Sequence, residues 1–290
     1  MTRTVVCLLI LLMSGGSVAA QDSTALPEIV RWYHDHYPFV TMTDSVFTFE
    51  TEFVWPDGFH RPDSSEQTAF QNWVSNFPLW HRWRPVGHWK GRKLYERDEI
   101  SRPIHLPWRG DRFNDKSIPL RILGEWLFLH HRESEFRILP KAGDTLRYQD
   151  FLGGDLLFNN RMEPFFEPGE RRQPSAREFF KFMMLCIDQS DYRSLAANCT
   201  AIKPEDLMPG DLLITQNKTG RKGRVYVVML KVENDSGDIR YVVGCGCEEA
   251  CDFHIPLLTD DRHKPWIDLA AIEQLAPEYE ERGYYRLSIQ

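Results

Sequence analysis

The chain has 290 residues and a mass of 34.1 kDa, with 42% hydrophobic and 27% charged residues, a balance that excludes a disordered, collagenous or multi-span membrane protein. Its 18 Phe, 10 Tyr and 9 Trp supply enough bulky apolar area for a core that depends on neither a metal nor a dense disulfide framework. Against 35 Lys and Arg stand 42 Asp and Glu, a net charge of −7, so the basic field that nucleic-acid binding needs is missing and no nucleic acid is expected as a partner.

Arg3, the apolar run over residues 5–13 and the small residues Val18-Ala19-Ala20 before Gln21 have the order of a secretory signal spanning residues 1–20. The run is too short to cross a membrane. No later stretch approaches ~20 apolar residues, so no transmembrane segment is expected in the mature chain. Cys7 precedes most of the apolar run instead of marking the cleavage point, which argues against a lipid anchor. The expectation is an exported protein, periplasmic or secreted, and soluble after cleavage. Loss of Arg3 leaves 34 basic residues against 42 acidic ones, or −8, and loss of Cys7 leaves five of six cysteines. An odd number means that at least one thiol stays free or pairs between chains.

Residues 46–53 alternate, with Val46, Thr48 and Glu50 on one side and Phe47, Phe49 and Thr51 on the other, and this period predicts a strand. Ser64 or Ser65 is placed to cap a helix carrying Phe70, Trp73, Val74 and Phe77, which Pro78 ends. Residues 80–93 mix aromatic and basic side chains with Gly87 and Gly91 as breakers, as paired short strands do. Pro103, Pro107 and Gly110 mark a loop before a second helix through Ile118, Ile122, Glu125, Trp126 and Leu129, with Pro119 in its first turn. Ser175-Ala176-Arg177-Glu178 has capping-box spacing and opens a third helix whose buried stripe is Phe179, Phe182, Met183, Cys186 and Ile187. From Pro204 the texture changes to a turn at Leu207-Met208-Pro209-Gly210-Asp211 and strands over residues 212–215, 223–232 and 239–245. Asn234-Asp235-Ser236-Gly237 forms the hairpin turn between the last two. No repeat, low-complexity tract or linker interrupts the chain, so residues 21–290 are expected to form one α+β domain with an N-terminal elaboration.

The densest reactive set is Cys245, Cys247, Cys251 and His254, within ten residues. Three thiols and an imidazole could hold zinc, or hold one disulfide and one nucleophile. The spacing C-x-C-x3-C-x2-H lacks the knuckle and the second half-site of zinc modules, so a disulfide with one thiol left over is preferred and neither metal nor other cofactor is expected. Cys186 and Cys199 are expected to pair with each other, with two small core residues as the alternative. Trp80-His81-Arg82-Trp83-Arg84 and His88-Trp89-Lys90 set flat aromatic faces beside cations, which suits sugar rings or an acidic ligand. A half-buried ribbon with Trp inward and Arg outward explains them more simply. Arg109-Gly110-Asp111 reads as turn chemistry, and the sequons at Asn198, Asn217 and Asn234 matter only in a glycosylating host.

Met208-Pro209-Gly210-Asp211-Leu212-Leu213-Ile214, then Gly220-Arg221-Lys222-Gly223-Arg224-Val225-Tyr226-Val227-Val228, Asp252-Phe253-His254-Ile255 and Pro265-Trp266 together resemble the domain of unknown function 4846, an exported family of Bacteroidetes-type bacteria. The similarity runs from about Phe70 to Trp266, with residues 120–128 as the family's helix and 143–154 as its Gly-Asp-Tyr-Gly region. The family's own pattern resembles a papain-like amidase of the NlpC/P60 type: a Cys opening a helix, Pro-Gly-Asp before a strand, Gly-His opening the next strand and a polar residue on the third. In such an enzyme the helix N-terminus lowers the thiol pKa and the strand-borne His takes its proton.

Carried over residue by residue, the resemblance puts the nucleophile position at or near Asp115, the Gly-His position at Gly223-Arg224 and the third polar position near Cys245. Arg is no general base at neutral pH, a carboxylate is a poor substitute for a thiolate, and no Cys or His lies between Asp111 and Phe128. The resemblance therefore implies a papain-like α+β fold, a helix plus an antiparallel sheet, that has lost the amidase dyad and acts in binding. Asp115, Arg224, Asp252 and Trp266 are its implied ligand-binding residues, with Asp115 and Arg224 facing each other across the vacated cleft. The implied ligand is an envelope glycan, a peptidoglycan fragment or an envelope protein. The alternative is an active cysteine hydrolase or amidase with Cys245 or Cys247 as nucleophile and His254 as base, although a strand-borne thiol lacks the helix dipole. A structural or redox-sensitive protein built around the cysteine cluster is a third reading.

Overall fold

The computed structural model describes residues 47–80, 84–95, 99–106 and 110–288. The signal-like leader, His81, Arg82, Trp83 and Arg109 lie outside them. In chain order come helix α1 (Phe49–Glu52), strand β1 (Phe59–His60), helix α2 (Ala69–Ser75), strands β2 (Val86–Gly87), β3 (Lys93–Tyr95) and β4 (Ile100–Pro103), and helix α3 (Ile118–Leu129). Strands β5 (Arg137–Ile138) and β6 (Leu146–Arg147), helix α4 (Tyr148–Gly153), strands β7 (Gly154–Phe158) and β8 (Pro164–Pro168), and helices α5 (Ala176–Asp188) and α6 (Tyr192–Ala197) follow. The last part holds β9 (Cys199–Ile202), β10 (Leu212–Gln216), β11 (Gly223–Asn234), β12 (Ile239–Cys245), β13 (His254–Pro256), α7 (Leu269–Glu273) and β14 (Glu281–Leu287).

Strand β11 organises the rest because its β-branched residues alternate between two buried faces. Val225 and Val227 enter the large core built by α2, α3, α4, α5 and α6, whereas Val228 joins Leu213, Tyr241, Val243, Ile267 and Ile272 in a smaller core on the opposite face. The main sheet runs β4-β13-β12-β11-β10-β14-β9, every neighbouring pair antiparallel, with β1 added against the far end of β11. The molecule is thus α+β with a mainly antiparallel sheet. The meander of β10, β11 and β12 is the one the turn residues predict, while β14 inserts beside β10 from the far end of the chain.

Helix α3 is buried on nearly every side, including Arg121 and Glu125, and is therefore an internal element of the core. Gly124 allows α5 to approach closely, since a Cβ there would lie 2.8 Å from Met183 Sδ. Helix α5 begins where the capping pattern places it, with Ser175 Oγ accepting from the Glu178 N–H at 3.2 Å.

Three local expectations are corrected. Residues 49–52 form a helical turn, not a strand, because Phe49 and Phe53 bury together at an i,i+4 spacing, and Thr48 and Thr51 close the turn's start. Helix α2 is capped by Thr68, whose Oγ1 accepts from the Gln71 N–H at 3.2 Å while Gln71 Oε1 accepts from the Thr68 N–H at 2.8 Å. This capping box leaves Ser64 in a separate short turn. Cys186 and Cys199 are both free: Cys186 faces the core from α5, whereas Cys199 is fixed opposite Leu287 by the pairing of β9 with β14. No helix among the described residues is long and apolar enough to cross a membrane.

Candidate functional site

A short turn over Asp115–Ser117 leads into α3 and touches the sheet where β11 begins and β12 ends. The Asp115 N–H donates to Cys247 O at 2.9 Å. Gly246 permits that approach, since a Cβ on it would sit 2.7 Å from Asp115 Cα and 2.8 Å from its nitrogen. The carboxylate itself is 1% exposed. Its Oδ1 accepts from the Tyr192 hydroxyl at 2.7 Å and from the Lys116 N–H at 2.7 Å. Its Oδ2 has no hydrogen-bond partner among the described residues and lies 4.0 Å from Arg224 Nη1, a guanidinium whose side chain is 33% exposed.

Register gathers the remaining polar groups. Tyr226 is opposite Cys245 and Cys245 opposite His254, so with Arg224 two residues before Tyr226 all four share one sheet face. Cys245 Sγ is 3.7 Å from His254 Nε2, His254 Nδ1 is 3.0 Å from Asp252 O, and the Tyr95 ring is 5.5 Å from the His254 ring.

Burial decides the protonation states. It raises the Asp115 carboxyl to about 6, against the Tyr192 hydroxyl, the Lys116 N–H and Arg224, which favour the anion. It raises the Cys245 thiol to about 12, although Arg224 pulls the other way. It lowers His254 to about 4, against its hydrogen bond to Asp252. At neutral pH the thiol and imidazole are therefore both uncharged, and their contact is no thiolate–imidazolium couple. Cys247 is bonded to Cys251, with Cα atoms 5.8 Å apart, which leaves Cys245 as the unpaired thiol of the cluster. The ligating atoms of Cys247, Cys251 and His254 lie within 4.8 Å of one another, but sulfurs joined in a disulfide offer no thiolate to a metal.

An ion pair at 4.0 Å is too long for a hydrogen bond, and such a gap suits one bridging polar group. Asp115 offers an acceptor on one side of that gap and Arg224 a donor on the other.

The other two implied ligand residues lie elsewhere. Asp252 Oδ2 accepts from the Gly87 N–H at 3.0 Å, pairs with Arg84 Nη2 at 3.3 Å, and lines a cavity that neither Asp115 nor Arg224 reaches. Trp266 packs on Trp55 with ring centroids 5.2 Å apart and donates from Nε1 to Val54 O at 2.7 Å, which ties the N-terminal elaboration to the sheet. Sequence reasoning misses Tyr192, whose only local sign is the capping Asp191 that starts its helix, and it misses Gly246. The Asp of Pro-Gly-Asp is a structural lock: Asp211 takes both ends of the Arg286 fork at 2.8 and 2.7 Å, and accepts from the Met208 N–H at 2.8 Å. Gly210 beside it has φ +89, which glycine adopts without strain.

Comparison with curated proteins and with solved structures finds no significant match. The family model described as domain of unknown function 4846 matches residues 49–283, which takes in the Asp115 turn, the Arg224 strand and the cysteine cluster alike, and the chain belongs to that family.

Proposed function

We propose that the protein is an exported binding module on a papain-like scaffold, in which the Asp115–Arg224 pair occupies the place of an amidase dyad and receives a peptidoglycan fragment or related envelope glycan. The observation that carries this reading is the 4.0 Å gap between a buried carboxylate with one oxygen unpartnered and a half-exposed guanidinium. The meeting of parts supports the scaffold: the turn that opens α3, the start of β11 and the end of β12 converge at one place, as a helix start and two strands do in NlpC/P60-type enzymes. Fragments of peptidoglycan carry carboxylates, which the Arg fork binds, and amide N–H and hydroxyl donors, which Asp115 accepts. Calorimetry with soluble disaccharide-peptide fragments tests it. Arg224→Ala is expected to weaken binding about tenfold or more, in line with the ~1.5–3 kcal/mol of a charge-assisted hydrogen bond, with the affinity compared at a temperature where both proteins are folded. Equal affinity of wild type and variant would overturn the assignment.

The 3.7 Å contact of Cys245 with His254 favours a second reading, a cysteine hydrolase of cell-wall or peptide amides. A thiol pushed up to about 12 by burial opposes it, because the thiolate is the nucleophile. Amide cleavage of the same fragments, abolished by Cys245→Ser and insensitive to Arg224→Ala, would replace the binding reading with this one.

A further inference from the structure

A cavity of about 290 Å³ opens between the β2–β3 ribbon, the approach to α3 and the segment carrying Asp252, and neither Asp115 nor Arg224 lines it. We propose that this cavity is a second binding site, for a hexuronate-type acidic monosaccharide, with Arg121 receiving the carboxylate. The inference goes beyond the Asp115–Arg224 reading and does not depend on it.

Arg121 is 3% exposed in the first turn of α3, where a buried arginine is costly unless its donors are used. Its Nε donates to Glu125 Oε1 at 2.7 Å, whereas Nη2 has no partner among the described residues. The pair with Glu125 thus engages one edge of the planar fork and leaves the terminal edge for a second oxyanion. The guanidinium lies over the Phe113 ring at 4.4 Å, a contact that holds the plane in place from below. Phe113 and Arg121 both line the cavity, so an anion entering it meets a fixed donor group.

The other walls define the rest of the ligand. Asp252 presents a carboxylate beside Arg84, and Arg84 in turn lies over Trp80 at 3.9 Å. An acceptor next to a cation suits hydroxyl groups. The cations Arg84, Lys93 and Arg121 on the walls outnumber Asp252 and the Glu125 behind Arg121 by one charge, which a monocarboxylate balances and a dianion such as phosphate exceeds. Trp89, 46% exposed at the rim, offers a flat apolar face for the less polar side of a sugar ring. The volume lies at the small end of ligand pockets and fits a single sugar residue.

Calorimetry on the full chain with D-glucuronate, D-galacturonate, D-glucose and inorganic phosphate tests the assignment. A saturable heat is expected with at least one uronate, with glucose and phosphate binding at least tenfold more weakly. Arg121→Met is expected to reduce uronate affinity tenfold or more. Because that variant strands Glu125 in the core, Trp89→Ala at the exposed rim provides an independent arm, with severalfold loss expected and an unchanged melting temperature. Arg224→Ala should leave uronate binding untouched, which separates this site from the Asp115–Arg224 pair. No heat with either uronate, phosphate or glucose binding as tightly as the uronates, or wild-type affinity in folded Arg121→Met or Trp89→Ala would overturn the proposal.

Discussion

Asp115 is a residue that the fold holds at a disadvantage. Its carboxyl is raised from 3.8 to about 6 by burial, so the folded state binds its proton more tightly than the unfolded chain does. The sign follows: its contribution favours the fold at low pH and turns into a penalty as pH rises from about 4 through 6, approaching ~3 kcal/mol for a shift of this size. Asp115→Asn keeps an acceptor for the Tyr192 hydroxyl and the Lys116 N–H and removes the buried charge. It is expected to stabilise the protein by ~1–3 kcal/mol at pH 7.5 in urea melts, with the gain vanishing at pH 4; an equal gain at both pH values would refute the charge argument. Retention of a destabilising carboxylate fits a binding role, since functional residues commonly cost stability. His254 carries the opposite sign. Lowered from 6.5 to about 4 by burial, it contributes stability that is complete above pH 6.5 and is lost as pH falls towards 4.

At the scale of elements, the Asp115 turn is placed by its close contact with the strand end at Gly246. A methyl group there would meet the Asp115 backbone at 2.7 Å, and backbone yields less readily than a flexible side chain. Gly246→Ala is therefore expected to cost ~1–3 kcal/mol and to reduce fragment binding even though it alters no charged group, a combination read by melts and calorimetry together. The cysteine loop that follows is closed by Cys247–Cys251. Alkylation of the denatured, non-reduced protein is expected to label Cys186, Cys199 and Cys245 and to spare Cys247 and Cys251; labelling of Cys247 and Cys251 as well would show that the bridge does not form. Helices α3 and α5 are legible in the sequence because their starts carry local signals, Pro119 and Ser175, and their apolar residues recur at helical spacing. Residues 46–53 mislead because eight residues can satisfy two periods at once, and the burial of Phe49 with Phe53 decides between them.

Across the whole molecule, the last strand is tied to the first turn of the meander by Arg286 and Asp211, 75 residues apart. Asp211 is 2% exposed, so removing the guanidinium leaves a buried carboxylate without its cation. Arg286→Met is expected to cost ~3 kcal/mol, the low end for a broken buried pair because the Arg side chain is 41% exposed. Adding Asp211→Asn should recover part of that loss, and a double-mutant cycle measures the coupling. Strictly additive losses would mean that the pair does not hold β14 in place.

Whatever is encoded within a few residues of a position can be read before the chain folds. Charge balance, the turns at Gly210 and Gly237, the meander of β10 to β12, the capping of α5 and the preference for one disulfide with one thiol to spare all follow from local spacing and composition. Alignment to a family pattern also singled out Asp115 and Arg224, but it carried no information on their environment. Tertiary structure decided the rest, because hydrogen-bond partners and desolvation depend on which distant segments pack together. Tyr192 reaches Asp115 across 77 positions, Asp252 turns away to Arg84 across 168, and Arg121 is buried with Nη2 unpartnered among the described residues only once α3 is packed into the core. A thiol, an imidazole and a carboxylate were each visible as residues; burial set them to about 12, about 4 and about 6, and it did so through neighbours that no local period names.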